Sequence, residues 1–104
     1  MSDLRIALAT LDADGITCIA GPAGAALVVC LVEGAYYVTD DLCSHGDASL
    51  AEGWLEGFDL VCPYHSGAFD VRTGAASRAP CALPVRSYAV RREGEELVIG
   101  PAQG

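Results

Sequence analysis

Two short stretches, Cys43-Ser44-His45 and Cys62-Pro63-Tyr64-His65, constrain this chain more than anything else in it. Sixteen residues separate them, and between them they hold both histidines of the protein, each just after a cysteine. Each stretch can bring one thiolate and one imidazole to the tip of a loop. Two such loops facing each other make an S2N2 donor set, so Cys43, His45, Cys62 and His65 are the candidate metal ligands. Soft thiolates suit iron–sulfur clusters, while imidazole is accepted by zinc, copper and iron.

The remainder reads as strands and tight turns. Leu4, Ile6 and Leu8 alternate with Arg5 and Ala7, the pattern of a half-buried strand. Asp12-Ala13-Asp14-Gly15 predicts a turn, Ile16 to Ala20 a second strand, and Gly21-Pro22-Ala23-Gly24 another break. The unbroken apolar run Ala26 to Val32 is placed as a central strand, turned back by Glu33-Gly34 into Ala35 to Thr39. Past Asp40, short strands are expected at Trp54 to Glu56, Phe58 to Val61 and Ala68 to Val71, with a turn at Arg72-Thr73-Gly74. Ala79-Pro80-Cys81-Ala82-Leu83-Pro84 is a stiff, donor-poor connection. Val85 to Arg91 and Glu95 to Ile99 form a last hairpin about Glu93-Gly94. No amphipathic helix exceeds a turn or two, so the fold class is all-β.

At 104 residues the chain is expected to be one domain, small enough for a metal group joining two loops to add usefully to its stability. Met1 to Leu11 lacks the basic start and long apolar run of a signal peptide, and Ala25 to Val32 is too short to span a bilayer. A cytoplasmic protein without a membrane segment is expected. There is no lysine, and six arginines face fourteen carboxylates, for a net charge of −8. That balance repels phosphate backbones, which argues against nucleic acid, and suits steering onto electropositive faces of partner proteins. Asp40, Asp41, Asp47, Glu52 and Glu56 form either an acidic collar for partners or a solvated face. Cys18 and Cys30 lie in strand-like runs and are expected to be small buried apolar residues, whereas Cys81 in the proline loop is expected to be exposed. Trp54 is expected to pack under the metal-binding loops. Tyr64 and Ser66 either fill the second loop or face a partner.

Cys-x-His-(x)16-Cys-x-x-His resembles the ligand motif of Rieske [2Fe–2S] proteins, in which two histidines replace two cysteines on one iron. The surrounding Cys43-Ser44-His45-Gly46-Asp47, Leu55-Glu56-Gly57, Cys62-Pro63-Tyr64-His65 and Phe69-Asp70 are similar to the small Rieske ferredoxins of bacterial ring-hydroxylating oxygenases, and the likeness runs over nearly the whole chain. It implies an antiparallel sandwich built from both chain ends, with a cluster-binding subdomain inserted over about residues 40–82. It also implies one cluster per chain, with Cys43 and Cys62 on an inner iron and His45 and His65 on an outer iron through Nδ1. High-potential relatives place a serine and a tyrosine where this chain has Gly67 and Phe69, and a loop-stapling disulfide where it has Ala48 and Tyr64. Without those hydroxyls the more negative reduced cluster is less stabilised, so a midpoint near about −150 mV is implied, at the low end of the Rieske range.

The function so implied is a one-electron carrier and not an enzyme. It is a monomer that takes electrons from a flavin-containing NAD(P)H-dependent ferredoxin reductase and passes them to the Rieske centre of a terminal oxygenase. Two other readings compete: a Rieske-like subunit of an assimilatory nitrite reductase, and a structural zinc module on the same four ligands. Zinc fingers pair Cys-x2–4-Cys with His-x3–5-His, a spacing this chain lacks.

Overall fold

The computed structural model describes residues 4–11, 15–21, 24–43, 48–64, 66–79 and 83–103. Ten strands form two antiparallel sheets. In chain order they are β1 (Leu4–Ala7), β2 (Ile16–Ala20), β3 (Ala26–Val32), β4 (Ala35–Asp40), β5 (Trp54–Glu56), β6 (Asp59–Val61), β7 (Ala68–Asp70), β8 (Ala76–Arg78), β9 (Ser87–Glu93) and β10 (Glu96–Gln103). The larger sheet runs β1-β10-β9-β4-β3-β2 and the smaller β5-β6-β7-β8. The smaller sheet is therefore inserted between β4 and β9, which pair with each other through Val38–Tyr88 and Thr39–Ser87. The only helical pieces among the described residues are single 3-10 turns at Leu8–Thr10 and Leu50–Glu52.

The apolar run of β3 has its cause in this arrangement, because the strand is covered on both faces. Val28, Cys30 and Val32 face a core shared with the inserted sheet, where they meet Leu50, Leu60, Phe69, Val71 and Val85. Leu27 and Val29 point the other way, into a second core with Val38, Leu97 and Ile99. The hairpin into β4 turns on Glu33 and Gly34, both at positive φ (52° and 82°), the geometry whose twist matches a two-residue hairpin.

Several expectations need correction. Leu8 leaves the first strand for the 3-10 turn. A strand at Ala76–Arg78 was not expected, since its three residues, none buried, carry no apolar pattern. The last hairpin starts later than its apolar residues suggest and runs on through Pro101, where a register shift between Ile99 and Ala102 removes the need for a proline N–H. Cys18 is exposed on the edge strand β2, not buried, while Cys30 is buried as expected. Residues 12–14, 22 and 23, Pro80 and Cys81 lie outside the described residues.

Where the chain leaves the large sheet and returns to it, Asp40 closes the neck. Its backbone N–H donates to the Arg86 carbonyl (2.9 Å), and its carboxylate accepts from Arg86 Nε (3.1 Å) and from the Tyr88 hydroxyl (2.5 Å). Burial and this bond to Asp40 push the Tyr88 hydroxyl from 10.0 up to about 12. A raised folded-state value means that the bond contributes fully below about pH 10 and is lost as pH climbs toward 12. The stability difference between the parent and Tyr88→Phe, read by denaturant unfolding, is therefore expected to be constant from pH 7 to 9 and to shrink above pH 10. A difference that persists unchanged at pH 11.5 would contradict this role.

Candidate metal centre

Both cysteines of the motif stand where a turn of the inserted region is closed by backbone bonds. After β4, Leu42 bridges to Ser49, the Cys43 N–H donates to the Ala48 carbonyl (2.9 Å), and the Leu50 N–H donates to the Asp41 carbonyl (2.7 Å). After β6, the Cys62 N–H donates to the Gly67 carbonyl (2.7 Å). Residues 44–47, His45 among them, and His65 lie outside the described residues.

The two sulfurs converge. Cys43 and Cys62 are both buried, belong to the core that holds Phe69, Leu50 and Leu60, and are unbridged. Burial pushes the Cys62 thiol up, the neighbouring Cys43 thiol adds to this, and a hydrogen bond from the Tyr64 backbone N–H pulls the other way. Among the described residues no third His, Cys, Asp or Glu joins them in a metal-binding group. Two facing, unoxidised thiols in an apolar setting, with an N–H already aimed at one sulfur, suit a group that takes them as thiolates. The donor set on this side fits the iron–sulfur half of the expected ligand set.

Two glycines hold the cysteine turns close. A Cβ on Gly53 would lie 1.8 Å from the carbonyl oxygen of Val61, the residue before Cys62. Gly74 combines φ of +83° with a would-be Cβ 2.1 Å from the Val85 carbonyl, which lets the turn after β7 rest on the strand returning to β9. Tyr37 and Arg72 both pack on Phe58, the tyrosine edge-on at 6.0 Å and the guanidinium 4.1 Å above the ring, joining β4 to the insert.

The surface around the turns differs from the acidic collar considered above. Asp41 is buried, at 6% exposure, and Asp40 belongs to the neck. Glu56 is taken up by Arg78 (2.9 Å) and by the Trp54 indole N–H (2.7 Å), and only Glu52 is left exposed without such a bond; Asp47 lies outside the described residues. Trp54 is exposed on the edge strand β5 and does not pack under the loops. Exposed apolar side chains stand beside the cysteines in the chain instead, Leu42 before Cys43 and Tyr64 two residues after Cys62 (both 60% exposed), and Leu83 is exposed in the proline loop. Ser66 is exposed at φ of 60°. Sequence reading passed over Leu42, whose signal was an apolar residue next to Cys43 in a polar stretch.

Similarity to known proteins falls on the same region. The family profile described as Rieske [2Fe-2S] domain matches residues 10–89. The ferredoxin component of the p-cumate 2,3-dioxygenase system of Pseudomonas putida is 47% identical over 79 residues, covering 75% of this chain and 67% of that protein. The solved ferredoxin of carbazole 1,9a-dioxygenase from Nocardioides aromaticivorans IC177 superposes with a TM-score of 0.88 at 35% identity, over 97% of this chain and 99% of that one. A ferredoxin solved in complex with the oxygenase of carbazole 1,9a-dioxygenase gives 0.85 at 37% identity, over 97% and 95%.

Two substitutions test the environment of the sulfurs. Gly53→Ala is expected to force β5 off Val61 and cost about 2–3 kcal/mol of stability, measured by unfolding. Gly67→Ser combined with Phe69→Tyr is expected to raise the midpoint potential by on the order of tens of millivolts. An unchanged midpoint in the fully loaded double variant would mean that missing hydroxyls do not set the potential.

Proposed function

The chain belongs to the Rieske [2Fe-2S] domain family, and from that premise we propose how it carries electrons and between which partners. It is a ferredoxin component of a ring-hydroxylating dioxygenase system, an electron-transfer protein and not the oxygenase itself, and its cofactor is a [2Fe–2S] cluster. In the proposed ligand set, Cys43 and Cys62 hold one iron as thiolates, and His45 and His65 hold the other through imidazole nitrogens. When bound, the cluster supplies a one-electron couple whose neutral histidine ligands raise its potential above that of all-thiolate ferredoxins.

The chain's own residues supply the rest. Leu50, Leu60 and Phe69 keep water from the sulfurs, and the Tyr64 N–H donates to Cys62 Sγ. Phe69 has no hydroxyl to offer a sulfur, and Gly67 has no side chain, which supports a potential low in the Rieske range. The exposed Leu42 and Tyr64, beside Cys43 and Cys62 in the chain, offer apolar contact surface, and the net charge of −8 steers approach from a distance.

The observation that carries this reading is the pair of buried, unbridged thiols at the bases of two backbone-closed turns, inside the span that the family profile matches. The donor in this proposal is a flavin-containing NAD(P)H-dependent ferredoxin reductase and the acceptor is the Rieske centre of a terminal oxygenase. The four free cysteines among the described residues support a reducing, cytoplasmic setting, and the carrier is proposed to act as a monomer. Among the described residues no helix is long and apolar enough to cross a membrane. The relatives are dioxygenase ferredoxins, which disfavours both the nitrite reductase subunit and the zinc module.

Two measurements check the proposal. The purified protein is expected to be red-brown, with about two irons and two sulfides per chain and an EPR signal only after reduction. In a reconstituted system of reductase, this protein and oxygenase, omission of this protein is expected to abolish substrate hydroxylation. Turnover that survives the omission would refute the carrier role.

A further inference from the structure

We propose that Asp41 anchors the first cysteine turn and, as a buried carboxylate beside Cys43, holds the reduction potential of the bound cluster down. The inference rests on Cys43 being a cluster ligand, as set out above. Asp40 and Asp41 are adjacent at the end of β4, where the chain bends, and they do different work. Asp40 ties the neck to Arg86 and Tyr88. Asp41 turns inward to Ser49, the bridge partner of Leu42, and to Ala51 two residues on. Its Oδ2 accepts from the Ser49 hydroxyl (2.6 Å) and its Oδ1 from the Ala51 N–H (2.8 Å). The Asp41 carbonyl takes the Leu50 N–H (2.7 Å), so Ser49, Leu50 and Ala51 are all held by one residue. The Cys18 thiol of edge strand β2 is also hydrogen-bonded to this carboxylate, which connects the turn to the far edge of the larger sheet.

The charge is the second half of the argument. Around Asp41 the burial alternates, with Asp41 and Cys43 buried and Leu42 between them exposed, so the carboxylate and the sulfur lie on the same side of the chain. Two residues apart in the chain, their Cα atoms lie no more than about 7 Å from each other. Among the described residues no arginine pairs with Asp41; its partners are a hydroxyl, an amide N–H and a thiol, all neutral donors. A buried carboxylate without a counter-ion disfavours any added negative charge nearby, and reduction adds one. This gives the chain a source of low potential besides the hydroxyls missing at Gly67 and Phe69.

Asp41→Asn keeps the shape and removes the charge, whereas Ser49→Ala keeps the charge and removes one tether. The loaded proteins are compared by spectroelectrochemical midpoint, EPR line shape and rate of iron loss to a chelator. Asp41→Asn is expected to shift the midpoint upward, and Ser49→Ala to leave the midpoint in place while iron loss speeds up several-fold. A loaded Asp41→Asn protein with the parent midpoint would overturn the electrostatic role, as would equal midpoint shifts in the two variants. If Asp41→Asn does not load, iron loss from Ser49→Ala decides the anchoring role: faster loss upholds it and the parent rate overturns it. A parent protein lacking iron and sulfide, or retaining both after Cys43→Ser, would instead refute the ligand assignment on which the inference stands.

Discussion

The structure depends on burying two cysteine sulfurs against each other in the core that joins its two sheets. Cys43 and Cys62 share that core with β3 residues Val28, Cys30 and Val32 and with Phe69, the largest fully buried side chain among the described residues. Metal site and fold are thus not separable parts. Burial disfavours the thiolate, as the upward push on Cys62 shows, and in the proposed ligand set iron would offset that penalty by taking the sulfurs as ligands. For a chain that can hide only about two thirds of its unfolded surface, a group joining two turns across the core is also a structural element.

What keeps the sulfurs in place is mostly backbone. Each cysteine donates its own N–H to the far side of its turn, to Ala48 and to Gly67. Gly53 lets the strand before Cys62 come closer than any side chain would permit. The inserted sheet is in turn fixed to the larger one by the Asp40 neck and by Phe58, which takes Tyr37 on its edge and Arg72 on its face. Arg72 is itself held by two bonds to Asp70 (3.0 and 2.8 Å), which keep the Asp70 carboxyl below its ordinary range. Polar contacts of this kind are individually weak at the surface, but several of them converge on the same short neck.

Sequence made the strands of the larger sheet legible wherever their pattern came from burial. β2 and β3 fall on the expected residues because Ile, Val and Leu there answer to two cores. β8 was missed because Ala76, Ser77 and Arg78 pair with β7 with only Ala76 partly buried against the core, leaving no periodicity to read. For the site, the spacing of Cys43 and Cys62 forecast that two sulfurs would meet, and the structure brings them together. The acidic residues were harder. Asp40 and Asp41 read as members of one acidic collar or solvated face, yet one went to the neck while the other went inside. Burial of a carboxylate depends on donors supplied by Ser49 and Ala51, and nothing in the composition of either residue announces that.

Charge and contact act over different ranges in this molecule. A net charge of −8 is felt at roughly a Debye length, about 8–10 Å in physiological salt, and governs how often a partner arrives. The side chains beside the two cysteines are of another kind: Leu42 and Tyr64 present apolar surface, while among the described residues Asp40 and Asp41 are engaged inside the fold. A carrier that must leave each partner after one electron benefits from this division. Attraction at long range raises the encounter rate, and a small apolar contact without desolvated ion pairs keeps the complex short-lived. Under the proposed carrier role, raising salt would slow arrival more than departure, because the net charge acts at long range while Leu42 and Tyr64 carry none.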